Sequence, residues 1–183
     1  MSNIQAEINL KNFISRSVLA AFNNSASGNS TYISSFLSSK PPEEDLFKIR
    51  KEIKYLMISI VVFQAYSKEV EKLNTADAEF IELAKETKNM IDTLVEDAFE
   101  SSPLELKLSY DEFADRYEKY NYLLYENKLE DIRRSFILGF TYQLKGVFKV
   151  DSDDTAVDAE DFISVGKWIY DTWGKIFGEI PQN

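Results

Sequence analysis

The chain has 183 residues, 31 acidic against 21 basic side chains, a net charge of −10, and neither cysteine nor histidine. Without those two residue types there is no disulfide, no thiolate nucleophile, no imidazole general base and no nitrogen or sulfur metal ligand, which excludes serine triads, Cys/His dyads, zinc centres and Glu-x-x-His di-iron bundles. The negative field also opposes binding to phosphate backbones, so nucleic acid is not an expected ligand.

With 44% hydrophobic residues, only six glycines and four prolines, the chain reads as one folded domain over 1–183 with long uninterrupted segments. Ile4, Ile8, Leu10, Phe13, Ile14, Val18 and Phe22 recur at helical steps and predict a first helix within 1–22, capped by Ser2. Its apolar residues are interrupted by Glu7, Lys11 and Arg16, and no basic run precedes them, so no secretory signal is expected. A Ser/Asn-rich connection, 23–41, follows; Tyr32, Ile33, Phe36 and Leu37 are expected to dock as a short turn, because a structureless loop of about 20 residues is unusual in a compact domain.

Residues 42–101 predict a helical hairpin. Pro42 and the acids of "EED" suit a first helical turn. From there Leu46, Ile49, Ile53, Leu56, Ile60, Phe63 and Val70 fall three or four apart, and after "LNTADA" so do Phe80, Ala84, Ile91, Leu94 and Ala98. The apolar run "YLMISIVVFQAY", Tyr55 to Tyr66, is too short for the roughly 20 residues of a membrane span and reads as a buried helix. "SYDE" is a capping box in which Ser109 accepts from the Glu112 amide while the Glu112 carboxylate reaches back. One or two helices cover 109–149, with Phe113, Tyr117, Tyr120, Leu124, Leu129, Ile132, Phe136, Phe140 and Val147 inward and a break favoured near "YENK". A C-terminal helix over 158–178 turns Phe162, Val165, Ile169, Trp173 and Ile176 to one side. The expected fold is therefore all-α: a single-domain bundle of about six or seven helices around a central antiparallel αα-hairpin.

Three stretches are candidate sites. "DSDDTAVDAEDF", Asp151 to Phe162, resembles a calcium loop in charge alone: Ala156 stands where the sharp turn needs Gly and Phe162 where the bidentate Glu belongs. No metal and no cofactor is expected there; Asp158 reads as a helix cap, and Asp151, Asp153 and Asp154 as a charged face for a basic partner. In "YEKYNYLLYENK", Tyr122 and Tyr125 fall off the inward stripe and are candidate interface residues. Arg133 and Arg134 read as surface residues paired with Glu130 or Asp131. With no catalytic residue singled out, the expected function is a non-catalytic acidic protein-binding domain, of an inhibitor, immunity or anti-defence kind. It would be cytoplasmic, free of membrane, and would dock on a protein with a basic surface. An enzyme working through carboxylates or tyrosines, or a self-assembling structural subunit, is the alternative.

Overall fold

A computed structural model describes residues 3–23, 37, 41–73, 79–101, 108–121, 132–148 and 159–177. They form a packed all-α bundle: α1 (Asn3–Asn23), α2 (Glu43–Val70), α3 (Phe80–Glu100), α4 (Tyr110–Asn121), α5 (Ile132–Phe148) and α6 (Ala159–Phe177). Among the described residues there is no strand, and no helix is long and apolar enough to cross a membrane.

The first arm of the hairpin, α2, is the axis. It packs against each of the other five helices, and every residue from Glu52 to Val62 is buried. A helix that is apolar nearly all round has no stable place at a surface, so the "YLMISIVV" sequence itself dictates this central position. The predicted stripe Leu46, Ile49, Ile53, Leu56 and Ile60 is buried throughout, while Phe63 is half-buried. The second arm, α3, buries one face only, through Ile91, Leu94, Val95 and Phe99, and packs on α1, α2 and α4. Leu37, of the predicted docked turn, joins the core; Tyr32, Ile33 and Phe36 lie outside the described residues.

The core departs from the bare spacing at two places. Ile8, one of the residues that mark the first helix, is 46% exposed, because the buried side of α1 follows Leu10, Ile14 and Val18. The inward face of α5 also includes Ile137 and Leu144 beside Phe136 and Phe140, since α5 is pressed from both flanks, by α4 and by α6.

Glycine sets both of those flanks. A Cβ at Gly139 would stand 2.9 Å from Tyr120 Cδ1 and 3.0 Å from the Tyr120 Cα, so α5 can approach α4 this closely only without a side chain there. At Gly166 a Cβ would meet Phe140 Cδ1 at 3.1 Å, which marks the corresponding approach of α6 to α5. Gly146, by contrast, faces open space within α5. Gly139→Ala is therefore expected to destabilise the fold by about 1 to 3 kcal/mol through overpacking. Gly146→Ala should stabilise it by about 0.5 to 1 kcal/mol by raising helix propensity. Urea melts of the two variants check the opposite signs; equal effects would remove Gly139 from the α4/α5 contact.

Candidate functional site

The sequence-predicted partner-binding residues Asp151, Asp153, Asp154, Tyr122 and Tyr125 lie outside the described residues, as do Ser2, Asp158, Glu130 and Asp131. The described helices bring together four other groups of side chains that bear on function.

The first is a polar seam between α2 and α4. Glu52 is only 3% exposed, and Arg116 Nε reaches both of its carboxylate oxygens at 3.0 Å. Tyr120, fully buried, donates its hydroxyl to Glu52 Oε2 at 3.2 Å. Burial works against the Arg116 charge, yet Glu52 outweighs it and holds the guanidinium above its ordinary value. One helical turn along, Tyr55 donates to Glu112 Oε2 at 2.6 Å, and Lys51 forms an ion pair with the same carboxylate. Burial opposes the Glu112 charge as well, but the hydrogen bonds from Lys51 and Tyr55 win and lower its pKa.

This seam corrects the capping box. The Glu112 amide does donate to Ser109 Oγ, at 3.4 Å, but the Glu112 carboxylate does not return to Ser109. The Ser109 amide donates instead to the Tyr55 hydroxyl at 3.3 Å, so a tertiary partner supplies what the local sequence pattern assigned to Glu112. The start of α4 is thus fastened to the middle of α2.

Between Glu52 and Tyr55 on α2, Lys54 is buried, and its pKa falls to about 8 through burial first and the nearby Arg50 charge second.

The second group is an acidic face where α3 meets α4. The Tyr110 ring packs edge-on against Phe99 at 5.9 Å, while its hydroxyl is pushed up to about 12 by burial and then by the charges of Asp92, Glu96 and Asp111. An apolar ring anchored in the core thus carries a polar tip within a fringe of carboxylates. Asp92 is paired with Lys88; Glu96 and Asp111 are exposed and have no ion pair among the described residues.

Two grooves complete the set. One, of 740 Å³, lies between α4 and α5, with Asp115, Glu118 and Lys119 on one wall and Leu138, Tyr142 and Lys145 among those on the other. Tyr142 is 75% exposed. The hydrogen bond from Lys119 lowers the Asp115 pKa. A general acid needs the opposite displacement, so neither Asp115 nor Glu112 is tuned for that role. The other groove, of 310 Å³, lies between α5 and α6 and includes Arg133, Arg134 and Lys167. Arg133 forks onto Asp171 of α6, with Nε to Oδ1 at 2.9 Å and Nη2 to Oδ2 at 2.7 Å. Its described partner is thus on the neighbouring helix; the expected partners Glu130 and Asp131 lie outside the described residues.

Comparison with known protein families, with curated proteins and with solved structures finds no match, so the geometry alone supports any functional reading.

Two outcomes are expected from the seam and from Lys54. Arg116→Met alone should cost about 3 to 5 kcal/mol, because it leaves the buried Glu52 charge without its cation; Glu52→Leu alone should cost less, because Arg116 keeps its ion pair with Asp115; and the double variant Glu52→Leu, Arg116→Met should cost less than the sum of the two. A double-mutant cycle in urea checks this; strict additivity would mean that the two do not act as a pair. Lys54 has its pKa lowered in the folded state, so the unfolded chain holds more protons between about pH 8 and its ordinary value near 10.5, and stability rises with pH there. Below pH 8 both states are charged and the penalty is complete. Wild type should gain stability relative to Lys54→Met from about pH 8 to about pH 9.5, before tyrosines begin to titrate. Parallel slopes for the two proteins would contradict it.

Proposed function

We propose that the protein is a non-catalytic docking domain that binds another protein through a basic surface of that partner. The observation that carries the reading is the acidic tyrosine face at the α3/α4 junction. A binding face of this kind has two working parts: surface charge that steers the encounter, and a fixed aromatic that holds the complex. Glu96 and Asp111 supply the first and Tyr110 the second, with its ring held by Phe99 and, at 6.2 Å, by Phe113.

Further acids on α3 add to the same field. Glu82, Glu86 and Glu100, with Glu79 just before the helix, are exposed and outnumber the exposed Lys85 and Lys88, and the whole chain carries −10. Long-range attraction to a basic partner follows from that charge, and so does its sensitivity to salt. Asp151, Asp153 and Asp154 belong to the same proposal as further steering charges, and Tyr122 and Tyr125 as further anchors. An inhibitor or immunity role, in which such a face covers a basic active surface, is the narrower form of this reading.

Affinity capture on the full chain, followed by binding kinetics with the purified partner, tests it. Glu96→Gln with Asp111→Asn should slow association and flatten its dependence on salt, whereas Tyr110→Ala should accelerate dissociation by the equivalent of about 1 to 2 kcal/mol. Unchanged rates in both variants would remove this face from the interface, and turnover of a small molecule by the purified protein would overturn the non-catalytic reading.

A further inference from the structure

The α5/α6 groove has a charge that the rest of the molecule does not explain. Arg133 and Arg134 from α5 and Lys167 from α6 border it, over a floor of Ile137, Leu138 and Ile163. Asp171 is the one carboxylate among the described residues that is paired with any of the three cations, and its fork is taken up by Arg133. Arg134 and Lys167, both exposed, have no ion pair among the described residues and border the same space of 310 Å³.

A shortage of acids is not the cause, because the chain has 31 of them against 21 bases. Helix preference is not the cause either. Arg133 and Arg134 stand in the first turn of α5, which holds no acid and lies at the positive end of the helix dipole. Cations are disfavoured at that end, and local rules broken in this way concentrate at functional sites. The cost of gathering like charges would be recovered by an anion bound among them. Asp171 adds preorganisation: its two oxygens fix the Arg133 guanidinium against α6, so the groove wall is formed in advance.

The geometry points to a binding site for a small organic phosphate, whose phosphoryl group meets Arg134 and Lys167 and whose organic group lies on Ile137, Leu138 and Ile163. A phosphate monoester has close to two negative charges at neutral pH and three acceptor oxygens, which matches Arg134 and Lys167 on two different helices. A carboxylate offers one charge in one plane. The volume lies at the lower end of the range for small-molecule pockets, so it suits a single small ligand. This site is separate from the α3/α4 face and does not depend on the docking proposal.

The test uses the full chain at constant ionic strength, titrated with phenyl phosphate, inorganic phosphate and benzoate by calorimetry and by amide NMR. Phenyl phosphate should saturate a single site, bind more tightly than either of the other two, and shift amides within 133–138 and 163–167. Arg134→Gln and Lys167→Gln should each weaken it about tenfold or more, an effect of about 1.4 kcal/mol, while Lys85→Gln on α3 leaves it unchanged. Circular dichroism of each variant confirms that the helices remain. The proposal is overturned by no saturation at about 10 mM, the result expected if Glu130 or Asp131 of this chain fills the groove. It is equally overturned by benzoate or inorganic phosphate binding as tightly as phenyl phosphate, or by unchanged affinity in both groove variants.

Discussion

Burial of the Glu52 carboxylate inside an apolar helix is the constraint from which the arrangement of the bundle follows. A lone buried carboxylate is too costly to keep charged, so its position has meaning only if a cation and hydrogen-bond donors come to it. Arg116 and Tyr120 do so from α4, and they are close to one turn apart, which fixes both the height and the rotation of α4 against α2. Tyr120 then passes the constraint on. Its carbonyl accepts from Ser135 Oγ at 2.6 Å and its ring lies against the bare backbone of Gly139, so α5 is registered to α4. Through Gly166 and the Arg133 fork, α6 is registered to α5 in turn. Apolar side chains supply most of the stability; the buried pair selects one alignment from several that would bury similar area.

Much of the scaffold was legible in the sequence because helical periodicity is a strong local signal. Leu46, Ile49, Ile53, Leu56, Ile60, Phe113, Phe136, Phe140, Phe162, Val165 and Ile169 are buried where their spacing placed them. The signal failed where burial depends on how many neighbours a helix has, a property that no single segment encodes. Ile137 and Leu144 are buried because two helices flank α5, and Ile8 is exposed because α1 is covered on one side. The polar seam was legible only in part. The Ser109 to Glu112 spacing announced a helix start, but the role of Tyr55 as acceptor for the Ser109 amide joins residues 54 apart in the chain. Charge just before the apolar run, at Glu52 and Lys54, was the one available hint that α2 needs polar partners. Tyr110 lay inside the recognised "SYDE" motif, yet its importance comes from α3 carboxylates that the motif does not contain.

Charge is also sorted by region. The outer face of α3 and the start of α4 gather carboxylates, whereas the start of α5 and the middle of α6 bring guanidinium and ammonium groups together over aliphatic side chains. Mixing the two signs evenly would have served solubility alone. Under the two proposals made above, keeping them apart would give one protein two surfaces of opposite selectivity, one for a large basic partner by long-range attraction and one for a small anion by close contact. Both stand on helices rather than on connections, so the groups that would recognise a ligand are already held in place.

The position of α2 has one more consequence, for the chain outside its native state. "ISIVVF", residues 58–63, is rich in β-branched and aromatic residues and contains no charge, glycine or proline. Such a hexapeptide stacks readily into intermolecular sheets when it is released from a helix. Because α2 is covered by all five other helices, any opening large enough to free it must first undo most of the bundle. The segment is bordered by Lys54 and Lys68, cations of the kind that interrupt strand stacking, and the chain around it repels its own copies with a net charge of −10. The same apolar sequence that organises the fold is thus its main aggregation liability, and the strong overall negative charge is what keeps partly opened molecules apart.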